Sequence, residues 1–188
     1  MIRTYLFPAL PNLISMGRLL AVPVAVWLIL SDRPTAAFWL FIGAGISDGV
    51  DGYLARRFSL RTAIGSYLDP IADKALLVSV YVTLGARGHL ETWLVILVVS
   101  RDVLIVGGAI FYRMVAGKLA MHPLFISKLN TVAQIALVGL VLGELGLGLA
   151  YRPLTDLVTD IVGATTLLSG AAYLSIWGWR IARMEDGA

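Results

Sequence analysis

Six runs of mostly apolar residues, each about as long as a bilayer is thick, fill most of this sequence. No other feature constrains the fold as much. The first goes from about Leu13 to Leu30 and is closed by Ser31-Asp32-Arg33-Pro34. The second starts near Thr35 and continues through Ile46 into Ser47-Asp48-Gly49-Val50-Asp51. The third runs from about Ser66 to Leu84, the fourth from Thr92 to Tyr112, the fifth from Ser127 to Leu149 and the sixth from Leu154 to Trp179. A hydrocarbon core is crossed by about 20 residues of helix. In lipid no water bonds the backbone, so such runs must be helices. The chain has 59% hydrophobic and only 14% charged residues, against about 25% charged in ordinary soluble domains. That is too little polar surface for a soluble enzyme, and the pattern equally excludes a disordered chain or a coiled coil. The expected fold class is an all-α integral membrane protein with six transmembrane helices. It would form one domain over residues 1–188, with no soluble appendage, linker or internal repeat.

The chain has no cysteine, so there is no disulfide, thiolate metal site or cysteine nucleophile. His89 and His122 are far apart in sequence, which argues against a histidine zinc site. The net charge of +3 suits loops facing anionic lipid better than nucleic-acid binding. With six spans, Arg3, Arg56, Arg57, Arg61, Arg113, Lys118, Lys128, Arg180 and Arg183 fall on one side of the membrane. Only Arg33, Arg87 and Arg152 fall on the other. The richer side, with both termini, should be cytoplasmic. Tryptophans near span ends read as interfacial or lipid-facing. The N-terminus lacks the layout of a cleaved signal peptide and is too short for a transit peptide.

Against this apolar background four carboxylates need a reason, because each charge in hydrocarbon costs at least about 2.5–3.5 kcal/mol on insertion scales. Asp48 and Asp51 close the second span, and Asp69 and Asp73 open the third. Spacings of three and four put each pair on one helical face. The short connection from Arg56 to Gly65 makes the two helices antiparallel neighbours, so all four acids can converge near the cytoplasmic mouth. Clustered anions repel in a low dielectric. Either some are protonated or cations sit among them, and oxygen-only ligands favour Mg²⁺ or Mn²⁺. Two such ions about 3.5–4 Å apart are a recurring device of phosphoryl chemistry. Small residues surround the acids: Gly43, Gly45, Gly49, Gly52, Ala55, Gly65 and Ala72. They allow close approach of a helix or a flat ligand, with Gly52 and Ala55 best placed to leave room. Arg56 offers a cation for a phosphate oxygen, or alternatively a positive-inside anchor. Pro70 frees a backbone carbonyl one turn back.

Read together, Asp48-x₂-Asp51-Gly52-x₂-Ala55-Arg56-x₈-Gly65-x₃-Asp69-x₃-Asp73 resembles the full signature of the CDP-alcohol phosphatidyltransferase family. The opening Pro11-Asn12-Leu13-Ile14-Ser15, with Arg18 and Pro23, resembles the branch that makes phosphatidylglycerophosphate and cardiolipin. Residues Ser100-Arg101-Asp102-Val103-Leu104-Ile105-Val106 and Phe125-Ile126-Ser127-Lys128-Leu129-Asn130-Thr131-Val132-Ala133-Gln134 look like the CMP-forming cardiolipin synthases. The phosphatidylglycerophosphate synthases tend to carry Glu where Asp102 stands. The resemblance implies six transmembrane helices, a homodimer, two divalent cations and a CDP-diacylglycerol donor. The implied reaction transfers the phosphatidyl group to the glycerol hydroxyl of phosphatidylglycerol, giving cardiolipin and CMP.

On that resemblance Asp48, Asp51, Asp69 and Asp73 are metal ligands, and Asp73 is also the general base. Asp48, Asp51, Gly52, Ala55, Arg56, Gly65 and Asp69 bind the CDP moiety. The acceptor brings its own phosphate, which calls for a second basic site. Arg101 sits mid-span, where an unpaired cation is costly. Its neighbour Asp102 is expected not to share its helical face, so another partner is expected. Arg101, Lys128 and Arg18 are the candidate acceptor-phosphate contacts. The alternatives are a structural ion pair for Arg101 and a snorkelling anchor for Lys128. Lys74 also reads as snorkelling, and Asn12, Asn130 and Gln134 as interhelical hydrogen bonds or substrate contacts. Asp156 and Asp160 read as acids at a helix N-terminus. Two rivals stand beside this reading. One is a phosphatidylglycerophosphate synthase with glycerol 3-phosphate as acceptor and a more basic pocket open to the cytosol. The other is a divalent-cation transporter, opposed by the position of the acids at span ends on one side.

Overall fold

The apolar runs become helices, and the helices outlast the runs. The computed structural model describes residues 3–57, 65–116 and 124–185, with side chains for 16–50, 72, 74–108 and 124–176. In chain order the helices are α1 (Arg3–Leu30), α2 (Pro34–Arg57), α3 (Gly65–Ala86), α4 (Thr92–Ala116), α5 (Phe125–Leu147) and α6 (Arg152–Glu185). The described residues contain no strand. α1 begins ten residues before Leu13 and runs through Pro8 and Pro11. Those prolines leave the carbonyls of Thr4 and Phe7 (i−4) without their helical donors.

Two turns show why the chain reverses where it does. After Leu30, Asp32 adopts φ +53°. The amide of Arg33 bonds the carbonyl of Leu28 at 2.9 Å, and that of Asp32 bonds Ile29 at 3.3 Å. This is a Schellman arrangement with aspartate in the left-handed position, which Asp tolerates better than most residues. Pro34 then starts α2 with its φ already helical. Gly88, at φ +73°, ends α3 the same way: Gly88 N–H bonds Gly85 and His89 N–H bonds Leu84, both at 2.9 Å. The Arg87 guanidinium donates to Asp32 Oδ1, so these two turns lie at one end of their unit.

The chain divides into two packing units: Met1–Leu90 with Val138–Tyr151, and Glu91–Leu137 with Arg152–Ala188. In the first, α1 packs against both α2 and α3. Leu28, Ile29, Phe41, Leu76, Val80, Tyr81 and Leu84 form the interior. The end of α5 closes on the start of α2 at Gly146, where an added Cβ would stand 2.7 Å from the backbone of Thr35. Thr35 Oγ1 donates to the Gly146 carbonyl at 2.6 Å in the same contact.

In the second unit α4 packs on α6. An added Cβ at Gly163 would stand 2.9 Å from Trp93 Cη2. Leu94, Val98, Leu137 and Val162 are fully buried. Asn130 is fully buried too, and its Oδ1 accepts hydrogen bonds from Thr165 Oγ1 at 2.8 Å and Thr166 Oγ1 at 2.9 Å. This meets the expectation of an interhelical bond at Asn130. Asp156 and Asp160 follow the first turn of α6, which holds no acid. The dipole's effect falls off within that turn, so the expectation that these acids suit the helix dipole is not met.

All six expected helices form. Among the described residues two are long and apolar enough to cross a membrane, Phe125–Leu147 and Arg152–Ile176, while Met16–Leu30 and Lys74–Ala86 are shorter apolar stretches.

Candidate active site

The acidic motif occupies the second half of α2 and the first half of α3. Asp48, Asp51, Gly52, Ala55 and Arg56 lie on one continuous helix, and Gly65, Asp69 and Asp73 on another that runs through Pro70. Helix rise fixes their depth from the tied end of the unit. At about 1.5 Å per residue, Asp48 is roughly 21 Å from the start of α2 and Asp73 roughly 20 Å from the end of α3. By the same count Asp51 and Asp69 both lie at roughly 26 Å. The acids thus fall at matching levels, Asp48 with Asp73 and Asp51 with Asp69, at the end of the unit away from the Asp32 and Gly88 turns. The side chains of Asp51, Gly52, Ala55, Arg56, Gly65, Asp69 and Asp73 lie outside the described residues, and so do Asn12, Arg180 and Arg183.

Asp48 is described, and it is not alone. Arg18 NH1 donates to Asp48 Oδ1 at 2.9 Å, with the Arg18 side chain 3% exposed and that of Asp48 47%. Arg18 stands 12 residues before the end of α1, or roughly 18 Å from the turn. The depth of Asp48 is nearly the same, so the crossing of α1 over α2 brings the two together. Arg18, a candidate acceptor-phosphate contact, partners an acid of the motif in this structure. Its cation offsets part of the repulsion expected among four carboxylates. Asp48 gives one oxygen to Arg18 and has a second to offer.

The second unit holds a buried polar cluster on three helices. Arg101 in α4 is 5% exposed. Its NH1 donates to Asp102 Oδ1 at 2.7 Å, and its NH2 donates to Ser127 Oγ of α5 at 2.6 Å and to Ser169 Oγ of α6 at 2.5 Å. The pairing with Asp102 corrects the expectation that the two neighbours cannot meet. Adjacent residues point about 100° apart on a helix, but the long arginine stem bends its head group around to the short aspartate. Both side chains are buried, at 4% and 7% exposure, so each neutralises a charge that would otherwise be costly to bury. Lys128, the residue after Ser127, is exposed. Among the sequence candidates Arg18 thus belongs to the first unit, and Arg101 and Lys128 to the second.

Ser169, Thr165 and Thr166 are polar residues that sequence reasoning missed. Their signal is a run of small hydroxyls at helical spacing in an apolar helix, Thr165-Thr166-x₂-Ser169. Such a stripe is also what plain helix packing uses.

Among the described residues no group of three or more metal-ligating side chains occurs. The donor chemistry of the motif nevertheless fits hard divalent ions, with four aspartates and neither His nor Cys in the sequence of α2 and α3.

The sequence model of the CDP-alcohol phosphatidyltransferase family matches residues 8–177. The chain belongs to that family. The chain is 39% identical to the chloroplastic CDP-diacylglycerol–glycerol-3-phosphate 3-phosphatidyltransferase 1 of Oryza sativa subsp. japonica, over 89% of this chain and 56% of the rice protein. It is 36% identical to the cardiolipin synthase (CMP-forming) of Homo sapiens, over 69% of this chain and 48% of that protein. It is 32% identical to the CDP-diacylglycerol–glycerol-3-phosphate 3-phosphatidyltransferase of Rickettsia bellii, over 87% of this chain and 92% of the other. The chain spans about half the length of the rice and human relatives. Names of both kinds thus occur among similar proteins, and the family holds where the acceptor differs.

Proposed function

We propose that this chain is an integral membrane phosphatidyltransferase of phospholipid synthesis that uses CDP-diacylglycerol as donor and phosphatidylglycerol as acceptor, forming cardiolipin and CMP. In this reading all six helices cross the bilayer, with both termini and the acids on the cytoplasmic side of a bacterial inner membrane, and the protein works as a homodimer. Exposed apolar residues along the helices, such as Leu20, Trp39, Ile96 and Val103, support a lipid-facing surface.

The observation that carries the choice of acceptor is that the two stretches resembling the CMP-forming cardiolipin synthases, Ser100–Val106 and Phe125–Gln134, meet where Arg101 bonds Ser127.

In the reaction, the free glycerol hydroxyl of the acceptor attacks the phosphorus bonded to diacylglycerol. The new P–O bond forms as the bond from that phosphorus to the bridging oxygen of CMP breaks, and CMP leaves with the electron pair. Asp48, Asp51, Asp69 and Asp73 would hold two divalent ions, Mg²⁺ or Mn²⁺, whose charge when bound offsets that of the pyrophosphate and of the leaving phosphate. Asp73 takes the proton of the attacking hydroxyl. An ordinary aspartate is a weak base, with a pKa near 3.9, so positioning of the hydroxyl matters more than basicity. Gly52 and Ala55 leave room for the cytidine, Arg56 contacts its phosphate, and Gly65 lets α3 approach. Arg18 balances Asp48, and Arg101 with Lys128 receives the acceptor phosphate.

A second reading, with glycerol 3-phosphate as acceptor, draws on the rice and Rickettsia relatives. One experiment separates them: purified protein with labelled CDP-diacylglycerol, Mg²⁺ or Mn²⁺, and either phosphatidylglycerol or glycerol 3-phosphate. Labelled cardiolipin is expected from the first pair. Product from glycerol 3-phosphate alone would overturn the lipid acceptor, and no CMP release with either would overturn the donor chemistry as well.

A further inference from the structure

The Arg101 guanidinium is held on two sides and left open on one atom. Both NH2 hydrogens go to hydroxyls, Ser127 Oγ at 2.6 Å and Ser169 Oγ at 2.5 Å. NH1 gives a hydrogen to Asp102, and the methylene stem runs beside Gly170, where an added Cβ would be 3.8 Å from Arg101 Cγ. The Nε–H is buried and has no hydrogen-bond partner among the described residues. A buried charged donor without an acceptor is costly. Each serine oxygen accepts from the guanidinium, so each keeps its own proton to donate. One Nε–H and two hydroxyl protons therefore surround a single cation, a donor set matched to an oxyanion.

We propose that Ser169, with Ser127, is a positioning residue that holds the Arg101 guanidinium with its Nε–H presented to the phosphate group of the alcohol acceptor. This rests on the assignment of Arg101 to the acceptor. The shared chemistry is a phosphate ester oxygen, whether in a lipid phosphodiester or in a soluble phosphomonoester. Ser169 is fully buried on α6, outside both the acidic motif and the stretches that carry the family resemblance.

The test compares wild type, Ser169→Ala and Ser169→Thr in mixed micelles, measuring kcat and KM for donor and acceptor, with phosphatidylglycerol in one arm and glycerol 3-phosphate in the other. Ser169→Ala is expected to raise KM for the acceptor about five- to tenfold, the effect of one misaligned charge-assisted hydrogen bond. KM for CDP-diacylglycerol should stay put, and Ser169→Thr, which keeps the hydroxyl, should recover most of the loss. A purely structural role would lower the folded fraction and kcat with both KM values unmoved, and that result overturns the proposal. If the acceptor effect occurs with glycerol 3-phosphate alone, the positioning role stands and the lipid-acceptor reading falls. If phosphatidylglycerol is used but its KM is the same in Ser169→Ala, the positioning role falls and the acceptor reading stands. No turnover with either acceptor removes both.

Discussion

Removing Asp102 while leaving Arg101 should unfold this protein more readily than removing both. The two groups are 2.7 Å apart with side chains 4% and 7% exposed. At an effective dielectric constant of about 20 their attraction is roughly 6 kcal/mol, and the desolvation of each ion is of similar size, several kcal/mol. The pair therefore contributes little net stability over an apolar pair of the same volume. Breaking it is another matter. Asp102→Ala leaves a buried guanidinium with only two serine hydroxyls as partners, and the expected cost is about 3–5 kcal/mol. The double variant Arg101→Met with Asp102→Leu should lie within about 1–2 kcal/mol of wild type. Denaturant titration in mixed micelles, followed by tryptophan fluorescence or circular dichroism, reads both. The same double variant should fold yet lose use of the acceptor, which separates the structural from the binding role of the cluster. The reasoning is refuted if Asp102→Ala is as stable as wild type, or if the double variant is as unstable as the single one.

Other outcomes follow from individual contacts. Asp73→Asn should abolish turnover with the fold intact, as read by CMP release and circular dichroism; wild-type rates would remove Asp73 from the chemistry. A chelator should stop CMP release, and added Mg²⁺ or Mn²⁺ should restore it; unchanged rates in chelator would dismiss the metal assignment. Gly146→Ala places a Cβ 2.7 Å from the Thr35 backbone, which cannot rotate away. A loss of about 1–3 kcal/mol is expected in the same micelle titration, and a neutral result would mean the α5–α2 contact is looser than described. Gly163→Ala meets the edge of Trp93 at 2.9 Å; the ring can yield, so a smaller loss is expected, relieved in Trp93→Phe.

How much of this was legible in the sequence depended on whether one helix sufficed. The number of helices, their order and the breaks at Asp32 and Gly88 followed from local signals, an apolar period and a left-handed residue at each stop. The ends did not. α1 starts at Arg3 and α6 reaches Glu185, because hydrophobicity marks what lipid or core covers, while backbone hydrogen bonding continues past it. Membership of the family was readable because the motif lies within two helices at fixed spacing. Partners across helices were not readable in the same way. The Arg18–Asp48 ion pair depends on how α1 crosses α2, although the near-equal distance of both residues from the Asp32 turn carries the hint. The Arg101–Asp102 pair is not legible from helical faces, which follow Cβ directions and not the reach of a long side chain. Ser169 gave only the sign of its hydroxyl stripe with Thr165 and Thr166, which is ordinary in an apolar helix until a cation from another helix is found against it.

Diffraction from crystals grown with Mn²⁺ and CDP addresses the central claim most directly. Two anomalous peaks about 3.5–4 Å apart, ligated by Asp48, Asp51, Asp69 and Asp73 and bridged to the CDP phosphates, are the expected result. Peaks elsewhere, or none with nucleotide bound, would contradict it.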